Sequence, residues 1–133
     1  MQGYTLYINE DWVKSSINKD AEFDLRYILY HEVRHIYQHR VIAEFEETGR
    51  SSELPVVILS WKQDFSAYIR NEGDEDSWQK NISQSVEIDA NAFANAMLLK
   101  HNLGARIVPG QEDIMSKAIA NIVKRLWKVT LKI

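Results

Sequence analysis

Over residues 20 to 47 the chain has no glycine or proline, and Phe23, Tyr27, Tyr30, Val33, Tyr37, Val41 and Phe45 recur at helical spacings. Steps of three and four residues keep side chains on one face of a 3.6-residue turn, so this stretch is expected to be one long helix. Asp20 or Asp24 is the candidate N-cap and Gly49 the stop. With 133 residues in all, the chain has room for one core, and residues 1 to 133 are read as a single domain.

The other elements are shorter. Tyr4-Thr5-Leu6-Tyr7-Ile8 is aromatic and β-branched and reads as a short strand, closed by a turn at Asn9-Glu10-Asp11. Pro55 marks a second helix start, with Val57, Trp61, Phe65 and Tyr68 on one face; a strand over 56 to 59 is the competing reading. Residues 71 to 76 are polar and acidic and read as a loop. A third helix is expected over 83 to 101, because Val86, Ala90, Phe93, Ala94, Met97 and Leu98 form a stripe that ends at Asn102-Leu103-Gly104. A last helix over 111 to 127 carries Ile114, Ala118, Ile119, Ile122 and Leu126.

Composition excludes several classes. A net charge of −3 gives no basic face for phosphate neutralisation, so no nucleic-acid partner is expected. The one basic cluster, Lys124, Arg125, Lys128 and Lys132, reads as a solvated helix face. No apolar run reaches the length of a membrane span and no secretion signal is visible, so a cytoplasmic protein without membrane contact is expected. With no cysteine, a metal site here must use histidine and carboxylate.

Such a site is written into the long helix. His31-Glu32-Val33-Arg34-His35 matches H-E-x-x-H. Residues four apart stack on one helix face, roughly 5 to 6 Å between Cβ atoms, so two imidazoles can close on one zinc ion at about 2.0 to 2.1 Å each. Glu32 is turned off that line, near enough to take a proton from a water activated by the metal and pass it to a leaving amine. A surface histidine pair is the plainer alternative.

A catalytic zinc needs a third protein ligand and an open fourth position. The metzincin arrangement would need Gly at position 38 and His at position 41, where this chain has Gln38 and Val41. His39 lies about 12 Å along the axis from His31, too far to share its ion, and is read as a surface residue. His101 reads as a dipole partner at a helix end. The third ligand is therefore sought in Glu87-Ile88-Asp89-Ala90-Asn91-Ala92-Phe93-Ala94, where small residues allow close helix approach. Glu87 would meet the zinc, and Asn91, on the same face, would bond the free nitrogen of a ligating histidine. The alternative leaves Glu87 and Asp89 facing solvent at a helix start.

At these two segments the chain resembles a gluzincin-type zinc metallopeptidase. His31-Glu32-Val33-Arg34-His35 matches the first gluzincin motif, and Glu87-x-x-Ala90-Asn91 is similar to the second; the run through Ala94 is especially similar to that of ImmA/IrrE-like peptidases, and small minigluzincins are also similar. The resemblance implies zinc ligands His31, His35 and Glu87, Glu32 as base, Asn91 behind a ligand, and hydrolysis of peptide bonds in a protein or peptide by an intracellular regulatory peptidase. It also implies an α+β zincin-like fold, mostly helical with a short β-sheet, in which the motif helix and the Glu87 helix wall a metal cleft. For the oxyanion-stabilising role the chain offers only Tyr68 as a candidate. Two rivals remain: a latent or non-catalytic zinc domain acting through protein contacts, and a metal-free helical interaction protein with aromatic surfaces at Trp61, Trp78 and Trp127. These tryptophans read mostly as core.

Overall fold

The computed structural model describes residues 5–18 and 22–130. Six helices follow in order: α1 (Glu10–Asn18), α2 (Glu22–Thr48), α3 (Pro55–Ser66), α4 (Glu75–Ile82), α5 (Ser85–Lys100) and α6 (Glu112–Thr130). Among the described residues there is no strand, which overturns the expected α+β fold with its short sheet. Thr5 to Asn9 are irregular, with Tyr7 89% exposed. A strand needs a partner for its backbone groups, and none is offered among the described residues. Tyr4 lies outside the described residues.

The expected turn after that segment is a helix start instead. The Asn9 side chain accepts from the Trp12 amide at 2.9 Å, and the Asn9 carbonyl accepts from Val13, so Asn9 caps α1. Likewise the acidic loop of residues 71 to 76 runs into α4, whose N-cap Asp74 accepts from the Ser77 amide. Residues 56 to 59 are helical, with Pro55 in the first turn of α3. Of the two candidate caps for α2, Asp20 lies outside the described residues and Asp24 sits inside the first turn.

Helix α5 is the central element. Val86, Ala90, Ala92, Ala94, Ala96 and Leu98 are essentially buried, and so are Glu87, Asn91 and Asn95. With so many alanines on several sides, neighbouring helices approach closely, and its widest contact is with α2. On one flank Ala92 and Ala96 pack with Met115, Ile119 and Ile122 of α6. Val86 joins Val41, Ile58 and Trp61 on another, and Ala94 and Leu98 meet Tyr27. Three residues expected on helix stripes are exposed, Val33 at 46%, Ile114 at 49% and Tyr68 at 40%, and Tyr68 lies beyond the end of α3. Trp61 is core, Trp78 is half-buried, and the side chain of Trp127 lies outside the described residues, as does Lys132.

The end of α5 is fixed locally. Asn102 adopts φ 57°, its amide bonds the Leu99 carbonyl, and the Leu103 amide bonds that of Leu98. These are the two bonds of a Schellman cap, with Leu103 packed back on the Tyr27 cluster. Asn95 then holds the following loop through the Arg106 carbonyl and amide. No described helix is long and apolar enough to cross a membrane.

Candidate metal centre

The middle of α2 lies against the first turns of α5, and donor atoms of three residues meet there. His31 Nε2 is 3.1 Å from Glu87 Oε2, His35 Nε2 is 3.2 Å from Glu87 Oε1, and the two Nε2 atoms are 3.0 Å apart. Donors held tetrahedrally around one ion at about 2.05 Å stand roughly 3.3 Å from each other, so these separations, the two carboxylate oxygens each facing one imidazole, are of the size found between ligands of one zinc ion. His31, His35 and Glu87 form a group that could hold a metal ion. Both imidazoles are 16% exposed and Glu87 7%, so the cluster is largely shielded from solvent.

The outward ring nitrogens are held too. His31 Nδ1 is 2.7 Å from Asn91 Oδ1, and His35 Nδ1 is 2.8 Å from Gln38 Oε1. An amide oxygen only accepts, so in each neutral ring the hydrogen sits on Nδ1 and the Nε2 lone pair points inward. Two lone pairs and a carboxylate then face one another, an arrangement that calls for a positive charge at its centre.

The electrostatics carry the same sign. A proton on an inward nitrogen answers the same need: burial alone would raise the Glu87 pKa, but hydrogen bonds with His31, His35 and Tyr68 outweigh it and hold the carboxyl well below the usual range. Burial works to lower the His35 pKa, yet the neighbouring Glu87 and Gln38 more than offset this and raise it. The Tyr68 hydroxyl donates to Glu87 Oε1 at 2.5 Å and accepts from Asn81 at 3.1 Å; burial, then the carboxylate, push its pKa up to about 12.

The site residues expected from sequence thus fall in two groups. His31, His35, Glu87 and Asn91 come together as one cluster. Glu32, one residue along α2, is half-buried and lines a cleft of about 270 Å³ with Leu6, Tyr7, Ile8, Trp12, Ile28 and Leu29; its charge is felt by both His35 and Tyr68. His39 is exposed and stacks on Phe65 at 4.0 Å, and His101 is the exposed C-cap of α5.

Sequence reasoning missed Gln38, Arg34 and Asp89 as parts of this centre. Gln38 stands three residues after His35, a spacing at which helical side chains touch, and that was the available signal. The link from Arg34 to Asp89, at 2.8 Å, joins residues 55 apart in the chain and leaves no local trace. No family model matches the chain, and neither a curated protein nor a solved structure matches it.

Proposed function

We propose that the chain is a zinc-dependent peptidase, with His31, His35 and Glu87 as metal ligands and Glu32 as general base. The observation that carries this reading is the convergence of His31 Nε2, His35 Nε2 and a Glu87 carboxylate at mutual distances of 3.0 to 3.2 Å. The resemblance of both motifs to gluzincins supports it further. A bound zinc ion would supply Lewis acidity, bringing a water into the range where a carboxylate can deprotonate it.

The chain's own groups then have distinct tasks. Glu32 takes the proton as water attacks the peptide carbonyl and returns it to the departing amine. The Tyr68 hydroxyl is the proposed stabiliser of the developing oxyanion; its one hydrogen, which goes to Glu87, would turn to the oxyanion when the carboxylate holds the metal. Among the described residues no strand edge is present to pair with an extended peptide, so the substrate would be read by side chains. The apolar cleft in which Glu32 sits suits a bulky apolar side chain next to the cleaved bond.

Replacing Glu32 with Gln tests the reading: zinc stoichiometry is expected to remain while peptide turnover falls by at least about a hundredfold. Turnover that survives in Glu32→Gln would refute the assigned base. Tyr68→Phe is expected to lower kcat by about 10²-fold with zinc retained. A non-catalytic zinc domain acting through protein contacts is the second reading, favoured by the exposed Leu54, Val56 and Leu59 at 60%, 69% and 59%. In that case Glu32→Gln leaves partner binding intact and wild type cleaves nothing.

A further inference from the structure

Building on the metal-centre reading, we propose that Gln38 is a positioning residue that locks His35 with its hydrogen on Nδ1, as the inner end of a one-way hydrogen-bond chain anchored by Arg34. Gln38 is fully buried in the middle of α2. Its Nε2 reaches the Val86 carbonyl at 3.0 Å and Asp89 Oδ2 at 2.8 Å. An amide nitrogen has two hydrogens, and these two acceptors use both. Only Oε1 remains for His35 Nδ1, at 2.8 Å. A flipped amide would set its oxygen against two other acceptors, so the orientation has one solution.

The far end removes any remaining freedom. Arg34 donates from Nε to Asp89 Oδ2 at 2.8 Å and from Nη2 to Oδ1 at 3.2 Å. Its guanidinium lies 4.2 Å from the Tyr37 ring centroid and 5.1 Å from that of Phe93. Arginine keeps its protons and has no acceptor atom. Along this chain the donors therefore run towards Asp89 from both ends, Arg34 to Asp89, Gln38 to Asp89 and His35 to Gln38, with the second Gln38 hydrogen on the Val86 carbonyl. Reversing any bond would leave two hydrogens or two lone pairs facing each other in a buried site. In the neutral ring, His35 Nε2 is thereby the lone pair, facing Glu87.

Two variants of the full-length chain test this. Gln38→Leu keeps the bulk and deletes the acceptor. Asp89→Asn touches none of the three ligands; an amide N–H then faces Arg34 in either orientation, and Gln38 Nε2 as well when it takes the place of Oδ2, so the charge that anchors the chain is lost and the hold on the Gln38 amide is loosened. Zinc affinity is measured by competition with a chelator, the absorption spectrum is recorded with cobalt(II) in place of zinc, and the His35 Nδ1–H resonance is followed by NMR in zinc-loaded protein. Both variants are expected to weaken zinc binding, Gln38→Leu by about 10- to 100-fold, to change the cobalt spectrum, and to shift the Nδ1–H signal and hasten its exchange with solvent. If Gln38→Leu does not fold, Asp89→Asn decides alone. Wild-type affinity and an unmoved Nδ1–H signal in Asp89→Asn would overturn the inference while leaving the metal centre standing. Weakened zinc with an unmoved signal would also overturn it, since a packing defect would then be the cause. A wild-type chain that binds no zinc would sink the metal reading and this inference together.

Discussion

The two flanks of α5 are built on opposite principles. Towards α2 it presents Glu87, Asn91 and Asp89, each engaged by a named polar partner. Towards α6 it presents Ala92 and Ala96 to Met115, Ile119 and Ile122. The apolar seam gains its stability from area removed from water and close packing. In the polar seam, burying a carboxylate against two imidazole lone pairs costs stability unless a cation joins them. One flank holds the helix in place and the other uses that rigidity to hold donors at metal-binding distance.

Breaking the polar seam at its centre should produce the largest effect. Glu87→Ala removes a proposed ligand and leaves two histidines, and zinc per chain, measured by elemental analysis, is expected to fall from near one to near zero. Far-ultraviolet circular dichroism should keep its helical signal, because the α6 seam is untouched. Loss of helicity together with zinc would mean that the two flanks are not separable.

The reciprocal change is Met115→Ala on the apolar seam. Met115 is 1% exposed, so truncation leaves a cavity and is expected to cost about 2 to 5 kcal/mol in chemical denaturation. Zinc stoichiometry at low denaturant should not change. Asn91→Ala comes next: it removes the acceptor behind His31 without touching a ligand atom, and a loss in zinc affinity of about tenfold is expected. This should sit at or below the loss from Gln38→Leu, because Asn91 is one support and Gln38 the end of a chain.

How far the sequence could reveal these seams depended on distance along the chain. Helices α2, α5 and α6 declared themselves by period, and His31, His35 and Glu87 by spacing within a motif and by small residues around a carboxylate. Helices α1 and α4 did not, because their caps, Asn9 and Asp74, carry the same local signal as a turn. The run from Tyr4 to Ile8 has strand-like residues, but strand formation is decided by a partner elsewhere. Exposed Val33 and Ile114 show the same limit, since a stripe marks a face and the neighbours decide how wide it is buried. The chain from Gln38 to Asp89 spans 51 residues, and only folding brings its members together.

A third polar group sharpens the contrast at the smallest scale. Glu53, 7% exposed, accepts from the Tyr37 hydroxyl at 2.7 Å and from Arg125 at 2.6 Å, so it ties α6 to α2 by charge where the rest of α6 relies on apolar packing. Burial would raise its pKa, but the bonds from Arg125 and Tyr37 prevail and lower it from the ordinary value of 4.5. A depressed folded-state pKa means that the unfolded chain takes up the proton first, so acid favours unfolding. The contribution of Glu53 is therefore complete above about pH 4.5 and is lost as pH falls through the depressed value. Denaturation of wild type and Glu53→Gln from pH 7 to pH 3 should show wild type the more stable at neutral pH and the difference shrinking below the ordinary value. A constant difference across that range would mean that the Glu53 carboxylate gives α6 no charge-based hold, leaving the apolar seam to fasten it alone.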